Sequence, residues 1–364
     1  MKKILLVTAI ASVSLASCVN DEAANPQNIF KQRIVFDTPV LYSNESARAI
    51  EYGEIGPNTD KPVYPTTEQF VIYANSYEGS FAGWSADNEA DFSGTAIAYV
   101  EDVNGWAPKN GDKYYYWESG KKMAFAACSP ADLEQGSTWS ESNRYYGATG
   151  LTIENFTVAS DPAKQFDLMF STRTCDHEST PTTTTGGYNG VPIQFQHALS
   201  AIRFAVKNES DEETVVLKSI KVMDVNYKGT FNENITEDGV NYDRDDNVSP
   251  EWETTSDITT YTAYADATGI EFTSTLATLD GSMLLMPQDL SDDAQLEIIY
   301  TVNGKERTKY VPLNTLESTT KGTISSWDLG TRYTYCLHYK AQGKIFFAPA
   351  VDEWIDIDDI VINL

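Results

Sequence analysis

Apolar and polar residues alternate with a period of two in runs spread along the whole chain. Because the side chains of a strand point to opposite faces in turn, this pattern is typical of half-buried strands. No long stretch shows the 3.6-residue period and the caps of a helix, so the sequence predicts an all-β protein. The clearest rows are Met123, Phe125 and Ala127, Ile202, Phe204 and Val206, Leu296, Ile298, Tyr300 and Val302, and Tyr333, Tyr335, Leu337 and Tyr339.

A tight turn is predicted at Asn303 and Gly304, directly after the row that ends at Val302. Asn-Gly supplies the two positive φ angles that a two-residue hairpin turn requires. The residues on either side of this pair are therefore expected to form neighbouring antiparallel strands.

The length of the chain favours two domains. Its 364 residues exceed one ordinary domain, even without a short leader. The boundary is predicted in residues 180–187, a Thr-rich run without apolar side chains that ends in two glycines. A strand-like row beginning at Val191 then opens the second half. We therefore expect two tandem β-sandwiches, over residues 30–187 and 188–364.

The start of the chain has the features of an export signal. Two lysines precede an apolar run at residues 4–11, and the stretch Leu-Ala-Ser-Cys ends at Cys18. These features predict a secretory signal over residues 1–17. The ending resembles a bacterial lipobox, which implies that Cys18 is acylated (palmitate among the chains) and held at the outer membrane. Residues 18–29 are polar and predict a tether. The alternative is a secreted protein whose cysteine is incidental.

The composition is strongly acidic. The chain has 26 basic and 53 acidic residues and a formal charge of −27, and loss of the two leader lysines makes it −29. Such a charge repels phosphate backbones and anionic lipid, which argues against nucleic acid binding and peripheral membrane docking. Because the acidic residues are spread along the chain, they predict a well-solvated surface.

Cysteines and histidines give little indication of catalysis. Besides Cys18, the cysteines Cys128, Cys175 and Cys336 leave an odd count, so at most one disulfide can form among them, and its partners stay open. Cys128 and Cys336 lie in strand-like runs and are expected to be small packing residues. His197 shares strand parity with apolar neighbours, which predicts a hydrogen-bonded core histidine.

Acidic residues do not assemble into a recognisable site either. Residues 243–247 could bind calcium weakly, but they lack the glycine and the terminal glutamate of an EF-hand loop. An acidic surface turn is therefore expected there. No carboxylate pair, phosphate-binding glycine loop or nucleophile elbow stands out. The sequence predicts no enzyme activity, no cofactor and no metal site.

Several short stretches, in a fixed order along the mature chain, form a recognisable set. They are the lipobox at Cys18, Tyr116-Trp117 leading into residues 123–130, and residues 165–169, 195–202, 229–231, 283–288 and Trp354. Together they resemble the fimbrillin (Mfa-like) family of Bacteroides-type bacteria, lipoproteins that build or cap type V pili. Most of these stretches are packing motifs, so the resemblance implies a fold of two transthyretin-like sandwiches more directly than an activity.

The resemblance also implies a cleavage site. Pilins of this family are cut after an arginine that follows the first strand, which releases that strand with its lipid and opens a groove. The bond between Arg48 and Ala49 corresponds to this site, with Arg33 and Lys31 as alternatives. The first strand is predicted within residues 34–42, which must contact the sheet if their release is to open a groove. A trypsin-like protease would make the cut, and an uncut chain would remain an anchor or a surface lipoprotein.

The C-terminal segment is the candidate donor strand. Apolar residues alternate before and after the acidic pair 358–359, with Ile360, Ile362 and Leu364 on one face after it. The parity changes across that pair, which predicts a bulge, bend or break. Such a strand can add to the open sheet of another subunit, where backbone bonds give affinity and alternate side chains fill pockets. The alternative is that it completes its own sandwich.

The predicted function is that of a structural or adhesive pilus subunit precursor. A terminal donor strand favours a stalk rather than a tip subunit, since a tip subunit has no onward partner. Other subunits are the expected partners, with a host protein or glycan as a further candidate. The alternative is a monomeric glycan-binding lipoprotein in which Trp84, Trp106, Trp139 and Trp252 stack on sugars. A surface glycosidase or a calcium-dependent adhesin is a weaker third alternative.

Overall fold

The described residues of the chain form an all-β structure. They comprise 25 strands and three short 3-10 helices, and no α-helix occurs among them. The predicted fold class is confirmed. No helix in this part of the chain is long and apolar enough to cross a membrane. The structure, a computed structural model, describes residues 34–41, 63–79, 92–101, 105–108, 115–118, 120–133, 140–171, 174–177, 190–235, 249–318, 322–340 and 344–352, with the backbone alone for 174–177 and 344–352.

The strands are numbered in chain order. The first nine are β1 (Val40–Leu41), β2 (Gln69–Tyr77), β3 (Phe92–Val100), β4 (Gly105–Pro108), β5 (Lys122–Ser129), β6 (Arg144–Gly147), β7 (Gly150–Thr157), β8 (Met169–Ser171) and β9 (Thr174–His177). The next eight are β10 (Gln194–His197), β11 (Ser200–Asn208), β12 (Val215–Asn226), β13 (Lys228–Asn232), β14 (Glu251–Thr254), β15 (Ile258–Glu271), β16 (Ala277–Thr278) and β17 (Met283–Leu285).

The remaining strands complete the second half of the chain. They are β18 (Gln288–Asp289), β19 (Gln295–Val302), β20 (Lys305–Pro312), β21 (Glu317–Ser318), β22 (Gly322–Thr323), β23 (Ser326–Trp327), β24 (Arg332–Lys340) and β25 (Lys344–Asp352). The 3-10 helices are Glu141–Asn143, Pro162–Lys164 and Leu313–Thr315.

The largest sheet is buried on both faces. It has the order β1-β10-β8-β5-β2-β3-β4, with β9 paired to β5. On β2, Phe70 and Ile72 belong to one core, whereas Val71 and Tyr73 belong to another on the opposite face. A nearly continuous apolar strand fits burial on both sides. The sheet β14-β13-β7-β6 covers one of these faces, where Phe170 contacts Phe231 with ring centroids 5.0 Å apart.

The second half of the chain contributes two further sheets that share a core. Their orders are β16-β11-β24-β25, with β17 on β11, and β15-β12-β19-β20. Leu296 and Ile298 on β19 and Tyr335 and Leu337 on β24 are all buried in this core. The alternating rows seen in the sequence therefore face inward, as a sandwich requires.

The hairpin predicted at Asn303 and Gly304 is confirmed. Val302 of β19 pairs with Lys305 of β20, so the turn between them has two residues. Both turn residues have positive φ angles, 48° and 78°. This geometry is the reason why the Asn-Gly pair identifies the turn from the sequence alone.

Two sheets take strands from both sides of the predicted boundary after residue 187. β10 pairs with β8 in the largest sheet, and β13 pairs with β7. The Thr-rich run lies within residues 178–189, outside the described residues. The division into 30–187 and 188–364 therefore stays a prediction, while the strand pairing shows that the two halves of the sequence share layers.

Candidate functional site

Residues 34–41 close a gap between the two ends of the largest sheet. β4 forms one end of this sheet, and β10 lies next to β1 at the other. Phe36 bridges both sides, antiparallel to Trp106 of β4 and parallel to Val191, which precedes β10. The eight residues therefore take the place of one further strand between β4 and β10. We call them the closing segment, and the space they fill is the slot.

Backbone hydrogen bonds hold the closing segment on the β4 side. The N–H of Ile34 donates to the carbonyl of Tyr115 at 2.9 Å, and the N–H of Phe36 donates to that of Trp106 at 3.0 Å. If the segment left, these carbonyls would lose their donors. Unpaired backbone groups at a sheet edge are a template for another strand.

A second set of bonds holds the segment on the β10 side. Asp37 donates its N–H to Val191 at 3.0 Å, Val191 donates to Val35 at 2.8 Å, and Val40 donates to Ile193 at 3.1 Å. β1 then continues parallel to β10. The segment is thus bonded along two edges, as an interior strand is.

The far end of the segment is held by residues that follow it in the chain. The carbonyl of Pro39 accepts the N–H of Tyr64 at 2.8 Å, and Val40 forms an antiparallel bridge with Val63. The predicted cleavage bond lies in the sequence between Leu41 and Val63. The chain therefore takes part in the slot on both sides of that bond.

Four side chains of the closing segment are buried. Ile34, Phe36 and Leu41 are 3%, 1% and 4% exposed, and Pro39 is buried as well. Residues 34 and 36 form one pair of buried positions with the spacing of a strand, and residues 39 and 41 form another. The alternation of buried and exposed positions therefore shifts by one residue at 37–38. A regular strand would alternate without this change.

Phe36 enters a socket made of three phenylalanine rings. Its ring meets those of Phe70, Phe92 and Phe125 edge to face, with centroids 6.3, 6.1 and 5.8 Å apart. Each such pair is worth about 0.5–1.5 kcal/mol beyond the burial of area. Phe36 is therefore the principal anchor of the closing segment, and we call the three rings the Phe36 socket.

Gly190 allows the backbone of the slot to approach the closing segment closely. Its φ is +114°, and a Cβ at this position would lie 2.4 Å from both the N atom of Asp37 and the carbonyl carbon of Phe36. Real Cβ atoms do not approach other atoms so closely, so any side chain here would displace the segment. Only glycine fits this position.

Trp106 forms a wall of the slot. It is 1% exposed, and its ring centroid lies 5.4 Å from that of Tyr64 and 5.5 Å from that of Phe70. Trp106 therefore offers no exposed face for stacking on sugars, which the glycan-binding alternative would require of it. Its strand parity directs the ring into the core, where an aromatic residue packs well.

The other predicted sugar-stacking residues provide no exposed platform among the described residues. Trp252 is partly buried, and its indole N–H donates to the carbonyl of Ala198 at 2.6 Å. Trp84 and Trp139 lie outside the described residues. The described tryptophans thus contribute to packing between layers.

β10 connects the slot with the second sandwich. At its end, His197 Nδ1 lies 2.9 Å from Asp167 Oδ1, and both side chains are buried. The predicted hydrogen-bonded core histidine is confirmed. Nearby, Gly330 donates its N–H to the carbonyl of Leu199 at 3.0 Å. The buried polar pair thus joins the end of β10 to the residues just before β8, and the backbone bond joins the residues that follow β10 to the second half of the chain.

The described residues show no activated group for catalysis. Cys128 and Cys336 are buried and form no disulfide, as expected of packing residues. Burial raises the pKa of the Cys128 thiol, and the neighbouring Arg144 opposes this rise only in part. Burial likewise lowers the pKa of His338, against the effect of Glu209. Both shifts favour neutral groups, whereas reactive cysteines need a lowered pKa.

No metal centre is apparent in the described part of the chain, where no three His, Cys, Asp or Glu residues could hold an ion together. The slot combines backbone donors and acceptors with apolar pockets. This arrangement suits binding of an extended peptide rather than a chemical step.

Some of the predicted site residues stand in segments that the structure does not describe. The following lie outside the described residues: the lipid site Cys18, the cleavage site at Arg48 and Ala49, and the donor row Ile360, Ile362 and Leu364. Conversely, the sequence does not single out Phe36 or Gly190. The position of Phe36, an aromatic residue in the first short strand, could have indicated its role. The role of Gly190 depends on contacts with residues that are distant in sequence.

A sequence profile of fimbrillin-like proteins matches residues 67–354. The chain belongs to the fimbrillin-like family. The resemblance inferred from short motifs is thereby confirmed, and the family is one of fimbrial and adhesion proteins rather than of enzymes. Membership supports a role in a pilus or in cell adhesion at the cell surface.

Solved structures agree with the fold of this fimbrillin-like chain. A candidate cell adhesion protein from Bacteroides uniformis is 13% identical, with a TM-score of 0.50 over 88% of this chain and 98% of its own. A fimbrial protein from Bacteroides vulgatus is 14% identical, with a TM-score of 0.50 over 89% and 100%. At this identity the similarity concerns the fold alone. No curated protein sequence matches the chain.

Proposed function

We propose that the chain is the precursor of a pilus subunit that assembles by exchange of β-strands after proteolysis. The observation that carries this proposal is the closing segment, eight residues with four buried side chains and backbone bonds along two edges. Its release would leave unpaired backbone groups beside empty apolar pockets. Another extended segment can satisfy both at once.

Export and lipidation complete the precursor. Removal of residues 1–17 would leave Cys18 as the N-terminus, followed by the polar tether 18–29. Stable anchoring takes more than one acyl chain, at about 0.8 kcal/mol for each buried CH2. A triacylated Cys18 would hold the precursor at the outer membrane until it is processed.

Cleavage between Arg48 and Ala49 would detach the closing segment and the lipid together, because both lie on the N-terminal side of that bond. The rest of the slot, including Val63 and the edges at β4 and β10, would stay with the mature subunit. A single cut by a trypsin-like protease would therefore both free the subunit from the membrane and vacate the slot.

The vacated slot would accept a terminal strand from another subunit, for which Ile360, Ile362 and Leu364 are the predicted apolar row. A subunit that has both a slot and a donor strand can bind a neighbour at each end. Such head-to-tail contacts generate a filament when the rotation between neighbours does not close a ring. We therefore assign the chain to the stalk of the pilus rather than to its tip.

The test is assembly of the purified precursor after treatment with a trypsin-like protease, followed by gel electrophoresis without boiling. We expect a ladder of oligomers that disappears on deletion of residues 360–364 and in Arg48→Ala. Arg33→Ala is the matched control and keeps the ladder. A cut product that remains monomeric would contradict the proposal. Glycan binding by the uncut monomer, with no ladder, would favour the glycan-binding lipoprotein instead.

A further inference from the structure

The closing segment has an irregular spacing that any replacement must reproduce. Its buried side chains fall at positions 34, 36, 39 and 41. The phase changes at Asp37 and Thr38, where Asp37 Oδ1 accepts the N–H of Thr38 at 2.7 Å. A strand with regular alternation would place polar side chains in two of the four pockets or leave them empty.

The C-terminal sequence repeats this irregular spacing. Residues 34–41 read Ile-Val-Phe-Asp-Thr-Pro-Val-Leu, and residues 355–362 read Ile-Asp-Ile-Asp-Asp-Ile-Val-Ile. An aspartate opens the phase change in both, at Asp37 and Asp358. The four pocket positions correspond to Ile355, Ile357, Ile360 and Ile362.

No other register after residue 340 places bulky apolar side chains at all four positions. A register that starts at Ile345 puts Asp352 in the last pocket, and one that starts at Trp354 puts Asp356 in the Phe36 socket. A buried carboxylate without a partner is strongly unfavourable, so these registers are excluded.

We propose that residues 355–362 of a second copy occupy the slot in the same direction and register as the closing segment. This inference rests on the proposed function, because the slot must first be vacated. Ile355 takes the position of Ile34, and Ile357 enters the Phe36 socket. The donor strand then begins at Ile355, and Leu364 lies outside the slot.

The backbone of this donor can form the hydrogen bonds that the closing segment forms with the slot. The closing segment donates to the slot from the N–H groups of residues 34, 36, 37 and 40. The corresponding residues 355, 357, 358 and 361 are not proline, so all four bonds can form. The carbonyl of Ile360 would take the place of that of Pro39 opposite Tyr64.

The side chains fit unequally. Ile357 is smaller than Phe36 and lacks the ring that meets Phe70, Phe92 and Phe125 edge to face. The closing segment therefore fits its own slot better than the donor does. In the uncut precursor this difference prevents premature exchange, and it also predicts that a phenylalanine at position 357 strengthens the donor.

The experiment uses the cut chain stripped of its closing segment and lacking residues 360–364, so that it cannot fill a neighbour's slot, and fluorescent peptides measured by anisotropy. The peptide of residues 353–364 is expected to bind. Ile357→Phe is expected to bind about tenfold more tightly. Ile357→Asp is expected to bind about a hundredfold more weakly, because a carboxylate would enter an apolar socket. A peptide of residues 33–42 is the reference for an open slot.

The outcomes separate the two proposals. If the 33–42 peptide binds and the 353–364 peptide does not, the slot is real and the assignment of residues 355–362 as its occupant is overturned. If neither peptide binds, the proposed function is wrong, and the inference that rests on it is wrong as well. If binding of the 353–364 peptide requires Leu364 but is unaffected by substitution of Ile357, the proposed register is wrong.

A graft into the uncut chain tests the register without proteolysis. Residues 34–41 are replaced by the sequence of residues 355–362, and the control carries the sequence of residues 354–361, shifted by one. The graft is expected to fold and to unfold at a urea concentration only slightly below that of the parent. The control, with Asp at positions 36 and 39, is expected to unfold at a much lower concentration. Equal behaviour of graft and control would overturn the inference.

Discussion

The closing segment and strand β20 are both eight residues long, yet they are held in opposite ways. β20 pairs with β19 over eight consecutive residues and is joined to it by a two-residue turn. Only Val311 of β20 is buried, whereas four residues of the closing segment are. One element is held mainly by its ladder and turn, and the other mainly by pockets for its side chains.

This difference explains which of the two can be exchanged. A strand such as β20 is specified by its covalent turn and by backbone bonds, which any sequence can make. The closing segment is specified by pocket spacing, so a segment from another molecule with the same spacing can take its place. A segment can thus be exchanged when side-chain pockets specify its position and its covalent link to the rest of the chain lies far from those pockets. The following substitutions test this contrast.

The largest effect is expected for Phe36→Ala in the uncut chain. Loss of this buried ring should lower the free energy of unfolding by about 3–5 kcal/mol. Val311→Ala on β20 is the comparison, with a smaller loss. After cleavage and removal of the segment, the effect of Phe36→Ala should vanish while that of Val311→Ala persists. Urea unfolding before and after the cut measures both, and a persistent effect of Phe36→Ala would contradict the role of the segment.

A smaller loss is expected for Gly190→Ala. The added Cβ would clash with the backbone of Asp37 and Phe36, and such overpacking costs about 1–3 kcal/mol. Gly281→Ala is a matched control, because Gly281 has a φ of +80° but no atom within 4 Å of the point where a Cβ would lie. Limited proteolysis should show a more accessible closing segment in Gly190→Ala alone. Equal effects of the two substitutions would mean that the close approach is unimportant.

The turn of the β19–β20 hairpin should respond more weakly still. Gly304 has a φ of +78° with open space around it, so Gly304→Ala should cost about 1 kcal/mol of backbone strain. Thermal unfolding measures this loss. Binding of a donor peptide to the cut chain should not change, and a change there would show that the two elements are coupled.

The smallest effect is expected at Glu297, on the outer face of the same sheet. Hydrogen bonds from Lys221 Nζ at 2.6 Å and from the hydroxyl of Tyr310 at 2.9 Å lower the pKa of this carboxyl from its ordinary value of 4.5. The ionised carboxylate of Glu297 therefore stabilises the folded state. This stabilisation is fully present above pH 4.5 and is lost as the pH falls through the lowered pKa.

Because Lys221 is 38% exposed, the contribution should be only about 0.2–1 kcal/mol. Glu297→Gln should therefore flatten the acid side of the stability profile slightly, and Glu306→Gln serves as its control on the next strand. Chemical unfolding at pH 3 to 6 checks this. A profile that is unchanged in Glu297→Gln would show that solvent screens the bonds completely.

Much of the fold follows from local pattern. Alternation predicts the strands, Asn303 and Gly304 predict the hairpin, and parity predicts the buried His197. The sequence does not decide whether Trp106 is buried or exposed, since the number of aromatic residues in a sequence does not tell which way one of them points.

The slot could not be predicted because its parts meet only in three dimensions. Nothing in the neighbouring sequence distinguishes Gly190 from other loop glycines, and its clash partner Asp37 lies about 150 residues earlier in the chain. Because Pro39 stands in the middle of the closing segment, the sequence of its second half also resembles that of a loop. The irregular spacing of residues 355–362 is visible in the sequence, but its meaning appears only beside the burial of residues 34–41.

The continuity of β10 and β11 has a mechanical consequence. β10 borders the slot, ends at His197, and is followed after two residues by β11, which lies in the second sandwich. Tension applied to a strand in the slot would therefore reach the second half of the subunit directly along covalent bonds. A fibre built in this way would carry load through its main chain at each subunit and would yield first at the seams between subunits.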